Sequence, residues 1–167
     1  TRRSSDLKLV QRFRPNPANI GTFYAGCYVA ELLAGLTEDN DPFPQLFDSA
    51  KLTLAALQDS DEYQLPILRF EIVMLREIGQ LPVFDACINC GEDVDARASY
   101  SFWVSQGGIL CPNCQRQQYA SHQIQAGTVA MMKRLSESSD ELANRIKPSA
   151  QQIREIRYTL TAAISAI

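Results

Sequence analysis

Only one histidine occurs in this 167-residue sequence, His122, alongside one tryptophan and three methionines. No Ser/His/Asp set can be assembled around a lone imidazole, and no glycine-rich phosphate loop is present, so no active site is expected. His122 itself reads as an exposed residue at a helix start. No apolar run approaches the eighteen or so residues that would span a membrane. The opening "TRRSSDLKLVQRFRP" has no apolar core of a secretory signal, so a cytoplasmic location is expected. An excess of positive charge is also missing: 16 Lys and Arg against 19 Asp and Glu leave a formal charge of -3 and a pI near 5.2. That argues against a uniformly basic nucleic-acid binder. Internal repeats and low-complexity tracts are absent as well.

What is present suits a soluble globular protein, with 46% hydrophobic and 21% charged residues. The length allows one domain with a proper core, or a domain plus a small module. Two features suggest a fragment: the first residue is Thr, and the closing "TLTAAISAI" stops in an apolar helical pattern without a glycine or asparagine cap. The charge is uneven. Residues 1–14 set Arg2, Arg3, Lys8, Arg12 and Arg14 against Asp6 alone, whereas residues 37–62 carry seven carboxylates against Lys51. Either run can be no more than a solvated face.

The spacing predicts helices on both sides of a different central stretch. "NPANIGTFYAGCYVAELLAGL" reads as a first helix capped by Asn16, with Pro17 in its first turn and Ile20, Phe23, Tyr24, Cys27, Tyr28 and Leu32 on its buried stripe. Cys27 is expected to be a small core residue. A second helix buries Leu46, Phe47, Ala50, Leu54 and Leu57. A third buries Leu68, Ile72, Leu75 and Ile78, ends at Gly79 in a left-handed conformation, and presents Arg69 and Arg76 on one face. "SYSFWVSQGGIL" changes the period to that of a short hairpin turning at Gly107-Gly108, in which Tyr100, Phe102 and Trp103 fill a core more readily than they stack on bases. Helical periodicity resumes after Cys114, and Ile153, Ile156, Leu160 and Ile164 form the stripe of the last helix, flanked by Arg154 and Arg157. The expected architecture is mainly α: a helical bundle with an inserted zinc-ribbon-like β-hairpin module. Residues 1–14 would be the end of a preceding domain or a linker, 15–167 the helical domain, and 85–116 the metal-binding insert.

Four of the five cysteines form two Cys-x-x-Cys pairs, Cys87/Cys90 and Cys111/Cys114, twenty residues apart. Each pair lets two sulfurs converge on one ion, and four thiolates complete a tetrahedral shell for Zn²⁺. Gly91 suits the tight turn of the first pair, and Pro112 stiffens the second. Disulfides fit poorly with an odd cysteine count and no secretory signal, and a thioredoxin-like site would need a βαβ pattern. An iron–sulfur cluster stays open on sequence alone. A shell closed by four sulfurs leaves no position for a catalytic water, so the expected cofactor is structural zinc.

The order of motifs resembles the C-terminal part of RecO, a bacterial recombination mediator family. "LVQRFRPNPANIGTFYAGCYVAELLAGLTEDNDPFPQLFD" leads to "LRFEIVMLREIGQLPVFDACINCG", with its Phe-Glu-x-x-x-Leu helix, and then to "GGILCPNC". The resemblance runs from about Leu9 to Cys114 and more weakly beyond. It implies a helical domain with a zinc module, preceded in that family by an OB-fold of which this sequence keeps at most a last strand in "SSDLKLVQRF". The implied function is DNA repair rather than enzymatic turnover. Such a mediator binds and anneals single- and double-stranded DNA, partners RecR, and assists RecA loading against the single-stranded-DNA-binding protein, whose acidic, apolar C-terminal tail docks on the helical domain. Residues for DNA would be Arg2, Arg3, Lys8, Arg12, Arg14, Arg154 and Arg157, with Lys133, Arg134 and Lys147 in the sparser second group. Arg69 and Arg76 would meet the tail. The alternative is a zinc-ribbon interaction scaffold with no direct DNA contact, which the acidic overall charge favours.

Overall fold

The computed structural model describes residues 9, 12–38, 41–115, 123–137 and 147–167. Helix α3 (Gln64–Glu77) is the centre of the fold because it is apolar on two sides. Ile67, Phe70 and Met74 face one core, built with α1 (Ile20–Leu36) and α2 (Pro44–Asp59). Leu68, Ile72 and Leu75 face the other. That second core is closed by a small sheet and by α4 (Ala126–Glu137) and α5 (Ala150–Ile164). Burying each of these large side chains stabilises the fold by roughly 1.5–3 kcal/mol.

Local chemistry sets the ends of the helices. At the end of α3, Gly79 takes φ 73°, and the Gln80 N–H reaches back to the Leu75 carbonyl at 2.7 Å, so the left-handed residue lies at the position the sequence indicates. Helix α5 opens on a capping box, in which Ser149 accepts from the Gln152 N–H and the Gln152 side chain accepts from the Ser149 N–H. At α1 the expected cap moves. Asn19, not Asn16, caps the helix by accepting from Gly21 N–H at 3.0 Å. Asn16 and Pro17 form a separate turn ahead of it, where Asn16 Oδ1 accepts from Ala18 N–H and the Asn16 carbonyl from Asn19 N–H. Two capping asparagines three residues apart compete, and the turn favoured by Asn-Pro takes the first.

The buried face of α1 is also a correction. Thr22, Ala25, Gly26, Val29 and Leu32 are inside, whereas Ile20 is 68% exposed, Tyr24 is 62% exposed, and Phe23 and Cys27 are exposed as well. Cys27 is therefore no core residue. The helix is apolar nearly all round, so periodicity marks a stripe without saying which one turns inward. Small residues win the inner side because neighbours press close: a Cβ on Gly26 would stand 2.2 Å from the Phe13 ring. In α2, Leu46, Ala50 and Leu57 are buried as expected, Leu54 is half-buried and Phe47 is exposed. In α5, Ile156 and Leu160 are fully buried and Ile153 and Ile164 partly so.

The central stretch is a four-stranded sheet of order β1-β3-β2-β4, comprising β1 (Val83–Cys87), β2 (Ser99–Trp103), β3 (Gly108–Leu110) and β4 (Gln123–Gln125). The anticipated hairpin is β2–β3, antiparallel with Phe102 opposite Ile109. Its turn is a 3₁₀ segment, Val104–Gln106, closed by Gly107, while Gly108 already belongs to the strand. β1 joins β3 in parallel and β4 joins β2 antiparallel, so Gln123–Gln125, in a stretch whose spacing reads as helical, is strand, and the helix starts only at Ala126. Tyr100 and Phe102 lie in the core, and Trp103 packs against it half-buried, so the two buried rings offer no face to a base. Glu155 of α5 accepts from Gln125 N–H and Thr128 Oγ1, tying the β4–α4 junction to the last helix.

Candidate metal centre and an arginine-edged groove

Parallel pairing of β1 and β3 brings the four cysteines together. Cys87 is the last residue of β1 and Cys111 directly follows β3, so strands running the same way deliver both Cys-x-x-Cys turns to one end of the sheet. The link is made by Ile88 N–H to the Ile109 carbonyl at 3.0 Å. In the first turn Gly91 N–H bonds the Cys87 carbonyl at 2.8 Å with Gly91 at φ 75°, a conformation that favours glycine. In the second, Cys114 N–H bonds the Cys111 carbonyl at 3.0 Å.

The four Sγ atoms lie within 4.8 Å of one another, and Cys90 Sγ stands 3.7 Å from Cys111 Sγ. Tetrahedral metal–sulfur bonds of about 2.3 Å require sulfurs about 3.8 Å apart, so the donor set fits a tetrahedral ion. Cys87 and Cys111 are buried, while Cys90 is exposed and Cys114 partly so. Burial alone would raise the Cys87 thiol, but backbone N–H groups of Cys111, Cys90 and Asn89 outweigh it and hold that thiol at about 6. Donors aimed at sulfur favour the thiolate at Cys87, the form that binds metal, whereas burial pushes the Cys111 thiol up. Asn89 Nδ2 also donates to Cys114 Sγ at 3.3 Å. His122 lies outside the described residues.

A second feature lies in the bundle. The N-terminal parts of α1 and α3 and the middle of α5 enclose a groove of about 660 Å³, lined by Tyr24, Tyr28, Tyr63 and Ile67 together with Arg154 and Arg157. Arg157 Nη1 bonds Glu71 Oε1 at 2.8 Å, and the Tyr28 hydroxyl donates to the same oxygen at 2.8 Å. Glu71 is fully buried. Burial pushes its carboxyl above the usual glutamate range, and Arg157 and Tyr28 offset this only in part. Burial beside that carboxylate likewise raises the Tyr28 hydroxyl.

The other candidates are scattered. Arg2, Arg3 and Lys8 lie outside the described residues. Arg12 and Arg14 are exposed, and the backbone N–H of Arg14 donates to Gln58 Oε1. Lys133 pairs with Asp85 and Glu137. Arg76 reaches the Ser136 carbonyl and Gln45 Oε1, bracing α3 against α4 and α2, and Arg69 is half-buried. Neither Arg69 nor Arg76 lines the groove; Arg154 and Arg157, read from sequence as DNA contacts, do. Tyr28 and Glu71 were missed as site residues. The signal for Glu71 was there, since it follows Leu68 by three and precedes Leu75 by four, a carboxylate on a buried stripe.

Fold and site define a helical-bundle domain bearing a four-cysteine metal-site module. The family model "Recombination protein O C terminal" matches residues 17–166, and the chain belongs to that family. Among similar proteins, a DNA repair protein RecO of Anaeromyxobacter dehalogenans is 32% identical over 93% of this chain and 61% of its own length. The namesake of Rhodopirellula baltica is 32% identical over 68% of this chain and 43% of its own, and that of Symbiobacterium thermophilum 29% identical over 97% and 65%. The chain thus spans 43–65% of the length of these curated relatives. Among the described residues no helix is long and apolar enough to cross a membrane.

Proposed function

We propose that this chain is the helical, metal-bearing part of a recombination mediator, and that its own task is to dock the acidic, apolar C-terminal tail of the single-stranded-DNA-binding protein. The observation that carries the docking reading is the groove: an apolar and tyrosine lining for apolar tail residues, together with Arg154 and Arg157 for the carboxylates. Peptide recognition of this kind combines an apolar slot with charge-assisted hydrogen bonds from arginine. The mediator as a whole would bind and anneal DNA and assist RecA loading with RecR. For DNA contact the best-supported residues in this chain are the basic run that ends in Arg12 and Arg14, which neutralise phosphates without reading sequence.

The ion we propose for Cys87, Cys90, Cys111 and Cys114 is zinc, in a structural role. When bound it would neutralise the four thiolates and lock the two turns together.

Fluorescence anisotropy of a labelled acidic tail peptide, titrated with this chain across a salt series, tests the docking. Saturable, salt-weakened binding that falls at least tenfold in Arg154→Ala/Arg157→Ala supports it. Binding unchanged in that variant would move the tail elsewhere.

A further inference from the structure

A carboxylate buried inside a helical bundle is costly unless its partners need it. Glu71 sits between the two cores of the protein, on α3, with no exposed surface. One of its oxygens, Oε1, accepts from both Tyr28 on α1 and Arg157 on α5, and both partners line the groove. The other oxygen, Oε2, is buried with no hydrogen-bond partner. A structural ion pair would use both oxygens in a two-pronged match with arginine. Here the match is one-pronged, and the guanidinium stays 35% exposed at the groove.

We infer that Glu71 is the positioning residue of this groove: it fixes Arg157 against the wall, and its negative charge sets how tightly the groove takes an acidic peptide. The inference rests on the tail-docking reading above and adds the control that acts on it. A free arginine side chain loses rotamer freedom when it grips a ligand. Held at one Nη1 by a buried anchor, Arg157 has lost that freedom beforehand. The same anchor cancels one of the two positive charges at the groove, so an incoming carboxylate meets a weaker field than Arg154 and Arg157 alone would give.

Chemistry separates the two effects. An amide in place of the carboxylate still accepts from Tyr28 and Arg157 but carries no charge, so the arginine stays placed and the field strengthens. An apolar side chain loses anchor and charge together. Protonation of Glu71 acts as the amide does. The charged and titratable groups facing it are Tyr28 from α1 and Arg157 from α5; the buried residues of α2 and α4 carry no charge. Its carboxyl takes up a proton at higher pH than an ordinary glutamate, before the aspartates of a bound peptide do. Affinity for an acidic peptide therefore rises as pH falls from neutral, until the peptide's own carboxylates titrate.

The test uses a fluorescein-labelled Asp-Asp-Asp-Leu-Leu-Phe peptide with a free C-terminus. It is titrated with the full chain and with its Glu71→Gln, Glu71→Leu and Arg157→Ala variants at constant ionic strength, between about pH 7.5 and about pH 4.5. Glu71→Gln should bind roughly fivefold tighter than the native chain at the upper pH and lose its pH dependence, while the native chain tightens toward the lower pH. Weaker binding by Arg157→Ala together with unaltered affinity and pH profile in Glu71→Gln overturns the charge control, Glu71→Leu binding as tightly as Glu71→Gln overturns the anchor, and either result leaves the docking site standing. Full binding by Arg157→Ala overturns both. Should Glu71→Gln fail to fold, the native pH series decides alone: affinity that is flat or falls toward acid refutes the inference.

Discussion

Removing the arginine from the buried pair should cost stability, and the cost should depend on pH in a stated direction. Arg157→Ala takes the cation from Glu71, which is fully buried in the native fold, with Oε1 keeping only the Tyr28 hydroxyl and Oε2 no partner. Stranding one member of a buried ion pair costs about 3–5 kcal/mol. Water at the exposed side of Arg157 screens the pair, so we expect a loss of about 2 kcal/mol at neutral pH. For a chain of this size that lowers Tm by roughly 4–8 °C. The native Glu71 carboxyl already sits above its ordinary value, and deleting the neighbouring cation raises it further. An acid whose folded-state value is raised gives its full contribution below the unfolded value and loses it as pH rises through the folded one. The gap in stability between native and variant proteins should therefore be wide near neutrality and narrow toward about pH 5. Urea unfolding at both pH values, followed by far-UV circular dichroism, measures it. A gap of the same size at both, or none at neutral pH, would refute the reasoning that Glu71 is held charged by Arg157.

Three further outcomes are expected. Replacing Cys87 or Cys111 with Ser should abolish stoichiometric metal, read by a colorimetric chelator after unfolding, and lower Tm; full metal content and native Tm in both variants would remove the closed four-sulfur site. Gly79→Ala, at φ 73° with open space around it, should cost about 1–2 kcal/mol through backbone strain alone, and an unchanged urea midpoint would show that the α3 end relaxes at no cost. If residues 2–14 contact DNA, each of Arg12→Ala and Arg14→Ala should reduce the slope of log affinity against log salt by roughly one; an unaltered slope in the double variant would take that run out of the interface.

Much of this was legible in the sequence because the patterns are local. The cysteine pairs, the β2–β3 hairpin, the left-handed Gly79 and the order of the five described helices all follow from spacing over a few residues. The rest depends on which neighbour a segment meets. The β4 segment is three residues, Gln-Ile-Gln, with one apolar side chain, too short for alternation to register. The inner side of α1 is decided by Phe13 packing on Gly26, a contact made from outside the helix. Arg154 and Arg157 look alike in sequence to Arg69 and Arg76, two cations on a helix face, and only the packing of α1, α3 and α5 puts one pair beside the groove.

Those same neighbours join the metal module to the groove. Cys87 and Cys111 are members of the core that also contains Leu68, Ile72 and Leu75 of α3 and Ile156 and Leu160 of α5. Glu71 and Arg157 stand on these two helices, each adjacent in sequence to a residue of that core. The module is thus packed onto the two elements that place the buried ion pair, while α1, which brings Tyr28, belongs to the other core. A metal held by the four cysteines would lock β1 to β3 and so steady one side of α3 and α5, because interiors packed to crystal-like density transmit strain. The packing of the cysteine-bearing sheet on α3 and α5 thus bears on the relative placement that lets one glutamate oxygen meet both a tyrosine and an arginine at 2.8 Å.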